Sequence, residues 1–429
     1  MKLGLILEKC LSKQANNMLK TVAHIATGLG QPTYLVGGAV RDVLLARSSN
    51  DLDFVTEGEG IALAQAVWEQ LGGELTTHDR FGTAVWTPPI ELFTFTIDFI
   101  TARKETYSYP AALPDVIPSN MQDDLLRRDF TINAMAVRLD GNHFGQLLDL
   151  YDGQADLEKG KIRILHTQSF ADDPTRIFRA LRYSSRLSFV LSAETFEAIQ
   201  QDLAKVNLLS ADRLRHEFEK ILDEPKPEPI LEKLDKFRVL SQISTSLTWG
   251  NDAQSVFEKL NLNLETDLGQ AALAESGLVH LRFLSWICTS TQPSQVATEL
   301  TQKLNFSADM RHDLENVFQF TDRSAKLLDD LRPGTLEKTF RKLSATQLIV
   351  LQVMNTLPVS IYKAITTYFD QWQHIKTFTN GNTLRKMGLT PGPSYKIILE
   401  SLLEAKLNGE ITSELEETRL LKNLIKTFG

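Results

Sequence analysis

Near residue 170 the spacing of apolar side chains changes character, and that change limits what the 429-residue chain can fold into. Before it come short, turn-bounded apolar runs at 34–37 (YLVG), 52–55 (LDFV) and 83–86 (TAVW), and residues 91–101 (ELFTFTIDFIT) alternate like a half-buried strand. Between them GIALAQAVWEQLGG has helical spacing and ends on glycines, where helices stop. After residue 170 apolar side chains recur every three or four positions to the end, which is the pattern of helix. The expected class is α+β: a small mixed β-sheet head, then an all-α remainder. Prolines in EPKPEP (224–229) and RPGT (332–335) break the helical part.

Composition removes several function classes. Two cysteines, Cys10 and Cys288, are too few for a disulfide framework or a zinc cluster and fit a reducing compartment. The five-residue apolar run after Lys2 is shorter than a signal-peptide core, and no window approaches a membrane span, so a cytoplasmic protein without a membrane partner is expected. A net charge of -8 argues against nonspecific coating of nucleic acid, although it leaves room for a local basic groove.

The stretch YLVGGAVRDVLLARSSNDLDFV (34–55) carries the strongest chemical signal. After an apolar strand, Gly37 and Gly38 let the backbone bend and bring amide N–H groups close to a phosphate, with a helix following. Asp51 and Asp53 sit at i and i+2, which on a strand points both carboxylates to one face about 7 Å apart. Like charges so placed repel unless a cation lies between them, and Mg²⁺ suits carboxylate and phosphate oxygens. An exposed strand end is the competing reading of DLD by itself; the preceding GG and RD tip the balance toward a site. Asp98 shares a face with Thr94 and Thr96, opposite Phe93, Phe95, Ile97 and Phe99, so those four are expected in the core. Asp98 could complete a metal site, receive a proton, or be an ordinary solvated aspartate.

Two further segments are rich in arginine. RRDFTINA (127–134) reads by itself as a surface ion-pair cluster. In DDPTRIFRALRYSSR (172–186), Pro174 suits the first turn of a helix, and Arg176, Arg179, Arg182 and Arg186 then form a stripe on one face. No acidic residue lies between Thr175 and Ser192 to balance it.

GGxxRD followed by DLD resembles the signature of the nucleotidyltransferase superfamily typified by DNA polymerase β. RRDFTINA, DLYDGQADL (149–157) and DDPTRIFRALRY (172–183) resemble further motifs of the class II tRNA CCA-adding enzymes and the related bacterial poly(A) polymerases. More loosely, so do SADRLRHEFEKIL (210–222) and LRKMGLTPGPSYKIILESLLEAKLNGEI near the C-terminus. The resemblance implies a nucleotidyltransferase head (1–157) followed by an elongated helical neck that reads the base (158–225), body (226–350) and tRNA-binding tail (351–429). It implies Mg²⁺-dependent addition of C and A to the tRNA 3′ end from CTP and ATP, with pyrophosphate released. A poly(A) polymerase, a CC-only or A-only enzyme working with a complementary nucleotidyltransferase, and a non-catalytic RNA-binding protein on the same fold stay open.

Residue by residue, the resemblance assigns the metal ions to Asp51 and Asp53, and the triphosphate to Gly37, Gly38, Arg41 and Arg128. It assigns the ribose hydroxyls to Asp129 and the incoming base to Asp173 and Arg176, with Arg179 and Arg182 in the same nucleotide site. Hydrogen-bond logic agrees for the base. Cytosine and adenine present an amino donor beside a ring-nitrogen acceptor, which matches a carboxylate beside an arginine, whereas uracil and guanine present the reverse. Asp172 stands where the family more often has Glu. The proline- and tyrosine-rich segment 103–124 corresponds to the loop that helps family members switch from C to A, and it differs from the Arg-rich loop of many complete CCA-adding members. The pairs His78-Asp79 and His312-Asp313 lack the further ligands of a metal phosphohydrolase and are expected at the surface.

Overall fold

Seven short strands build one mixed sheet: β1 (Thr33–Val36), β2 (Asp53–Thr56), β3 (Glu74–His78), β4 (Thr83–Thr87), β5 (Ile97–Thr101), β8 (Met135–Arg138) and β9 (Gln146–Asp149). They lie in the order β3-β4-β5-β2-β1-β8-β9. The hairpin β6 (Arg103–Thr106) and β7 (Asp115–Pro118) stands apart as a two-stranded sheet. All pairings in the large sheet are antiparallel except β2 with β5. This computed structural model describes residues 2–48 and 52–428. The chain divides into two compact units, Met1–Glu217 with Lys236–Gln242, and Phe218–Asp235 with Ile243–Gly429.

The first unit is held by apolar layers on the sheet. Phe54 and Phe99 stack across the parallel pair with ring centroids 5.4 Å apart, and both are fully buried. Burial of side chains this size contributes about 1.5–3 kcal/mol each. Tyr34, Val36 and Val55 form a cluster with Met121 and Leu125 of the helix Met121–Leu126. Asn120 caps that helix by accepting from Asp123 N at 3.0 Å.

The expected strand at 91–101 is only half present. Leu92 N and Phe93 N both donate to the Pro89 carbonyl, at 2.9 and 3.2 Å, so the chain turns after Pro88-Pro89 and joins the sheet at Ile97. Phe93, Ile97 and Phe99 are buried as expected, but Phe95 is 50% exposed. Strands β3, β8 and β9 and the hairpin β6–β7, within the segment 103–124 expected as a loop, are not marked by the sequence pattern; β3 is polar and largely exposed at the sheet's edge, so it lacks alternation.

The second unit is helical. Phe218, Phe283, Trp286, Trp249 and Phe257 interlock at centroid distances of 5.0 to 6.1 Å. A smaller apolar cluster, Leu384, Ile398, Leu402 and Leu421, ties together the last three helices. His312 is exposed as expected, but Asp313 is buried, accepting from Gln347 Nε2 at 2.8 Å and lying 2.8 Å from His280 Nε2. A helix turn points successive residues to different faces, so adjacency in sequence did not make the two alike. No helix among the described residues is long and apolar enough to cross a membrane.

Candidate active site

The glycine turn comes directly off β1. Gly37 has φ 68° and ψ -128°, a conformation essentially reserved for glycine, and the helix Gly38–Leu44 starts immediately after it. A Cβ at Gly37 would lie 3.0 Å from Arg128 Nη1, so the backbone here approaches a cationic side chain closely. Arg41, on that helix, is 4% exposed; it donates from Nη1 to Asn133 Oδ1 at 2.8 Å and from Nε to Asp42 at 2.9 Å.

Asp53 opens β2, and the parallel pairing sets it in register with Asp98 of β5. Neighbouring strands lie about 4.8 Å apart, which puts two carboxylates side by side on one face. Asp51 lies outside the described residues. Asp53 and Asp98 are hard oxygen donors of the kind Mg²⁺ takes, and among the described residues no group of three or more His, Cys, Asp or Glu side chains gathers to cage a metal. A metal held here would need further oxygens from phosphate, which suits Mg²⁺.

One cavity of about 880 Å³ collects most of the expected residues: Gly37, Gly38, Arg41, Asp53, Arg128, Asp129, Asp173, Arg176 and Arg179 all line it. Asp98 and Arg182 are not part of its lining. The helix Thr175–Arg186 forms one wall. Its arginines are not a uniformly solvated stripe: Arg176 and Arg182 are 5% and 8% exposed, whereas Arg186 at the helix end is exposed. Arg176 donates to Ser169 Oγ at 2.8 Å and to the Arg127 carbonyl at 2.6 Å, so a hydroxyl and a backbone oxygen, not acids on its own helix, satisfy it.

RRD is an interior network. Asp124, fully buried, accepts from Arg127 at 2.7 Å and from Arg128 at 2.9 Å. Burial by itself would raise the Asp124 carboxyl, but the two guanidiniums outweigh it and hold the group below the usual carboxylate range. Arg127 also bonds Glu105, which accepts from Arg103 and the Tyr107 hydroxyl, and burial followed by the Glu105 charge pushes the Tyr107 phenol up. Asp129 is filled on both oxygens. Oδ1 accepts from Phe130 N (2.8 Å) and Asn133 Nδ2 (2.9 Å), and Oδ2 accepts from Arg179 Nε (2.8 Å) and Nη2 (2.5 Å). Here too burial works against the charge, and Arg179 with Asn133 keeps the carboxyl low.

Asp173 Oδ1 accepts from Thr175 N at 2.9 Å and from Arg213 Nη2 at 2.5 Å, and burial pushes the neighbouring Asp172 carboxyl up. Tyr183 sits under three guanidiniums, those of Arg41, Arg179 and Arg182, at 5.3 to 5.6 Å from its ring centre. Tyr183, Glu105, Tyr107 and Glu217 line the cavity without having been singled out from sequence. The i+3 and i+4 spacing of Arg127 and Arg128 after Asp124 was a readable signal for the buried network. No local signal marked Tyr183 or Glu217.

The family described as "Poly A polymerase head domain" matches residues 33–163, and "Probable RNA and SrmB- binding site of polymerase A" matches residues 188–247. An A-adding tRNA nucleotidyltransferase of Halalkalibacterium halodurans is 32% identical over 91% of this chain and 88% of its own length. One of Geobacter sulfurreducens is 32% identical over 98% of this chain, which spans only 48% of that relative. Among solved structures, Thermotoga maritima CCA-adding enzyme complexed with tRNA superposes with a TM-score of 0.78 at 26% identity, covering 100% of this chain and 99% of that one.

Proposed function

The chain belongs to the tRNA nucleotidyltransferase family, and from that premise we propose that it adds C and A residues to the 3′ end of tRNA from CTP and ATP, releasing pyrophosphate. The observation that carries this reading is the single cavity in which the glycine turn, Asp53, Asp129 and the Asp173 and Arg176 pair meet. A 3′-oxygen of the tRNA attacks the α-phosphorus, the bond to the β-phosphate oxygen breaks, and pyrophosphate leaves. Asp98, beside Asp53, is the carboxylate positioned to take the hydroxyl proton.

Asp51 and Asp53 would hold Mg²⁺, which when bound lowers the pKa of the attacking hydroxyl and neutralises charge on the phosphates. The amides after Gly37 and the guanidinium of Arg128 receive triphosphate oxygens. Asp173 accepts from the amino group and Arg176 donates to the ring nitrogen of C or A, which leaves U and G with mismatched donors and acceptors. The two carboxylates paired on β2 and β5 favour an enzyme over a non-catalytic RNA-binding protein. The reaction is assigned to the cytoplasm, with the helical segments at 226–350 and 351–429 as body and tail for the tRNA.

A second reading, addition of A alone, is favoured by the β6–β7 hairpin. Its tip is tied at Ala111, whose N donates to the Ala171 carbonyl at 3.2 Å and whose carbonyl accepts from Arg213 at 3.0 Å. A tip so anchored has less freedom to reset Asp173 and Arg176 between two bases. The test uses transcripts ending before CCA, after C and after CC, with Mg²⁺ and CTP, ATP or both. Completion of all three supports CCA addition, and extension of only the CC-ended transcript supports A addition with a complementary enzyme as partner. No extension of any transcript would sink both.

A further inference from the structure

Asp129 is assigned to the ribose hydroxyls, yet a carboxylate has about four acceptor positions, and four donors occupy them here. A ribose hydroxyl has nowhere to donate until one of those donors leaves. Phe130 N is backbone beside Asp129, and Asn133 is buried and also engaged by Arg41. Arg179, which supplies both bonds to Oδ2, is the long side chain among the four, and it lines the cavity.

Glu217, on the helix Ala211–Leu222, lines the same cavity. It is 4% exposed, and its Oε2 has no hydrogen-bond partner among the described residues. An unpaired buried acceptor is costly, and more so when charged, so one kept in the wall of a cavity points to a state in which it is used.

We infer that Glu217 receives the Arg179 guanidinium when a ribonucleotide enters, releasing Asp129 Oδ2 to accept the ribose 2′-hydroxyl. Glu217 is thus a positioning residue, acting on sugar choice through Arg179. The exchange conserves charge pairing, because a guanidinium leaves one carboxylate for another and the freed oxygen gains a neutral donor. The electrostatics agree: Asp129 chiefly, with Tyr183 and Glu217 contributing, holds the Arg179 guanidinium above its ordinary value. The inference rests on the assignment of Asp129 to the ribose.

The test compares ATP with 2′-dATP on a CC-ended tRNA transcript for the full chain, D129N, E217Q and R179K, and for E217Q combined with R179K. The unaltered chain should prefer ATP on the order of tenfold or more, the worth of one hydrogen bond to a charged acceptor. Both D129N and E217Q should bring the ATP to 2′-dATP ratio of kcat/KM toward one, with E217Q melting at the temperature of the unaltered chain. In the R179K background, where one ammonium no longer fills both positions on Oδ2, E217Q should add nothing. Loss of the ratio in D129N but not in E217Q overturns the role of Glu217 and leaves that of Asp129 standing. Loss in E217Q but not in D129N means that Glu217 meets the ribose itself, which overturns both. An equal fall for the two nucleotides in E217Q, or an undiminished effect in R179K, also overturns the transfer.

Discussion

Arg213 holds Asp173 with one nitrogen and the tip of the β6–β7 hairpin with another: Nη2 donates to Asp173 Oδ1 at 2.5 Å and Nη1 to the Ala111 carbonyl at 3.0 Å. A residue forty positions beyond Asp173, the aspartate proposed to read the base, therefore fixes both that carboxylate and the segment that family resemblance links to nucleotide choice.

Replacing Arg213 should disturb both ends of this bridge. R213A is expected to lower kcat/KM for ATP by roughly tenfold to a hundredfold, the size of one charge-assisted hydrogen bond at about 1.5–3 kcal/mol. It should also raise protease cleavage between residues 107 and 113, because the tip loses its tie. Kinetics and limited proteolysis read the two effects separately; an unchanged cleavage pattern with lowered activity would mean that Arg213 serves Asp173 alone.

Asp53 and Asp98 should differ in severity. D53A is expected to remove incorporation by roughly a thousandfold or more, since several kcal/mol of charge stabilisation at the phosphates goes with the metal. tRNA affinity, measured by filter binding, should stay within about threefold, because shape and phosphate contacts elsewhere supply it. D98N should retain more activity than D53A. Equal loss in both would make Asp98 a full partner in holding the metal.

How much of this was open to sequence depended on distance along the chain. The strand, glycine turn and helix at 34–44, and the strand that begins at Asp53, are local patterns, and they fold as such. The stripe Arg176 to Arg186 was visible, but its setting was not. Arg176 is satisfied by the Arg127 carbonyl, 49 positions away, and Arg179 by Asp129, 50 positions away, and helical periodicity says nothing about such partners. Phe95 misled because alternation continued past the point where Pro88 and Pro89 turn the backbone and the sheet has no partner to offer.

The buried carboxylates predict acid lability. Asp124 and Asp129 both have folded pKa values held below the unfolded value near 3.9 by their arginines, against the effect of burial. Groups shifted this way add stability that is fully present above about pH 3.9 and is lost as pH falls through their folded values. Unfolding midpoints should therefore hold steady from pH 7 to pH 5 as far as these two groups decide, and then fall steeply below pH 4. D124N should be less stable at pH 7 and show a shallower fall; a parallel fall in D124N would remove Asp124 from the acid response.

DLYDGQADL resembles a family motif, yet the structure gives its central glycine a packing role. Asp149 accepts from Gly153 N at 2.8 Å and from Gln154 N at 2.9 Å, satisfying the first two amides of the helix Gly153–Glu158. A Cβ on Gly153 would lie 2.3 Å from the Thr131 carbonyl oxygen and 2.8 Å from Met135 Cγ, so no side chain fits without moving the backbone that follows RRD. Overpacking of this kind costs about 1–3 kcal/mol, and backbone collision puts G153A at the upper end. At roughly 2–4 °C per kcal/mol for a domain of this size, Tm should drop by about 5 °C or more. At a temperature where the variant is still folded, its KM for ATP should stay within about twofold, because Gly153 does not line the cavity. A raised KM with an unchanged Tm would instead make the motif part of the nucleotide site.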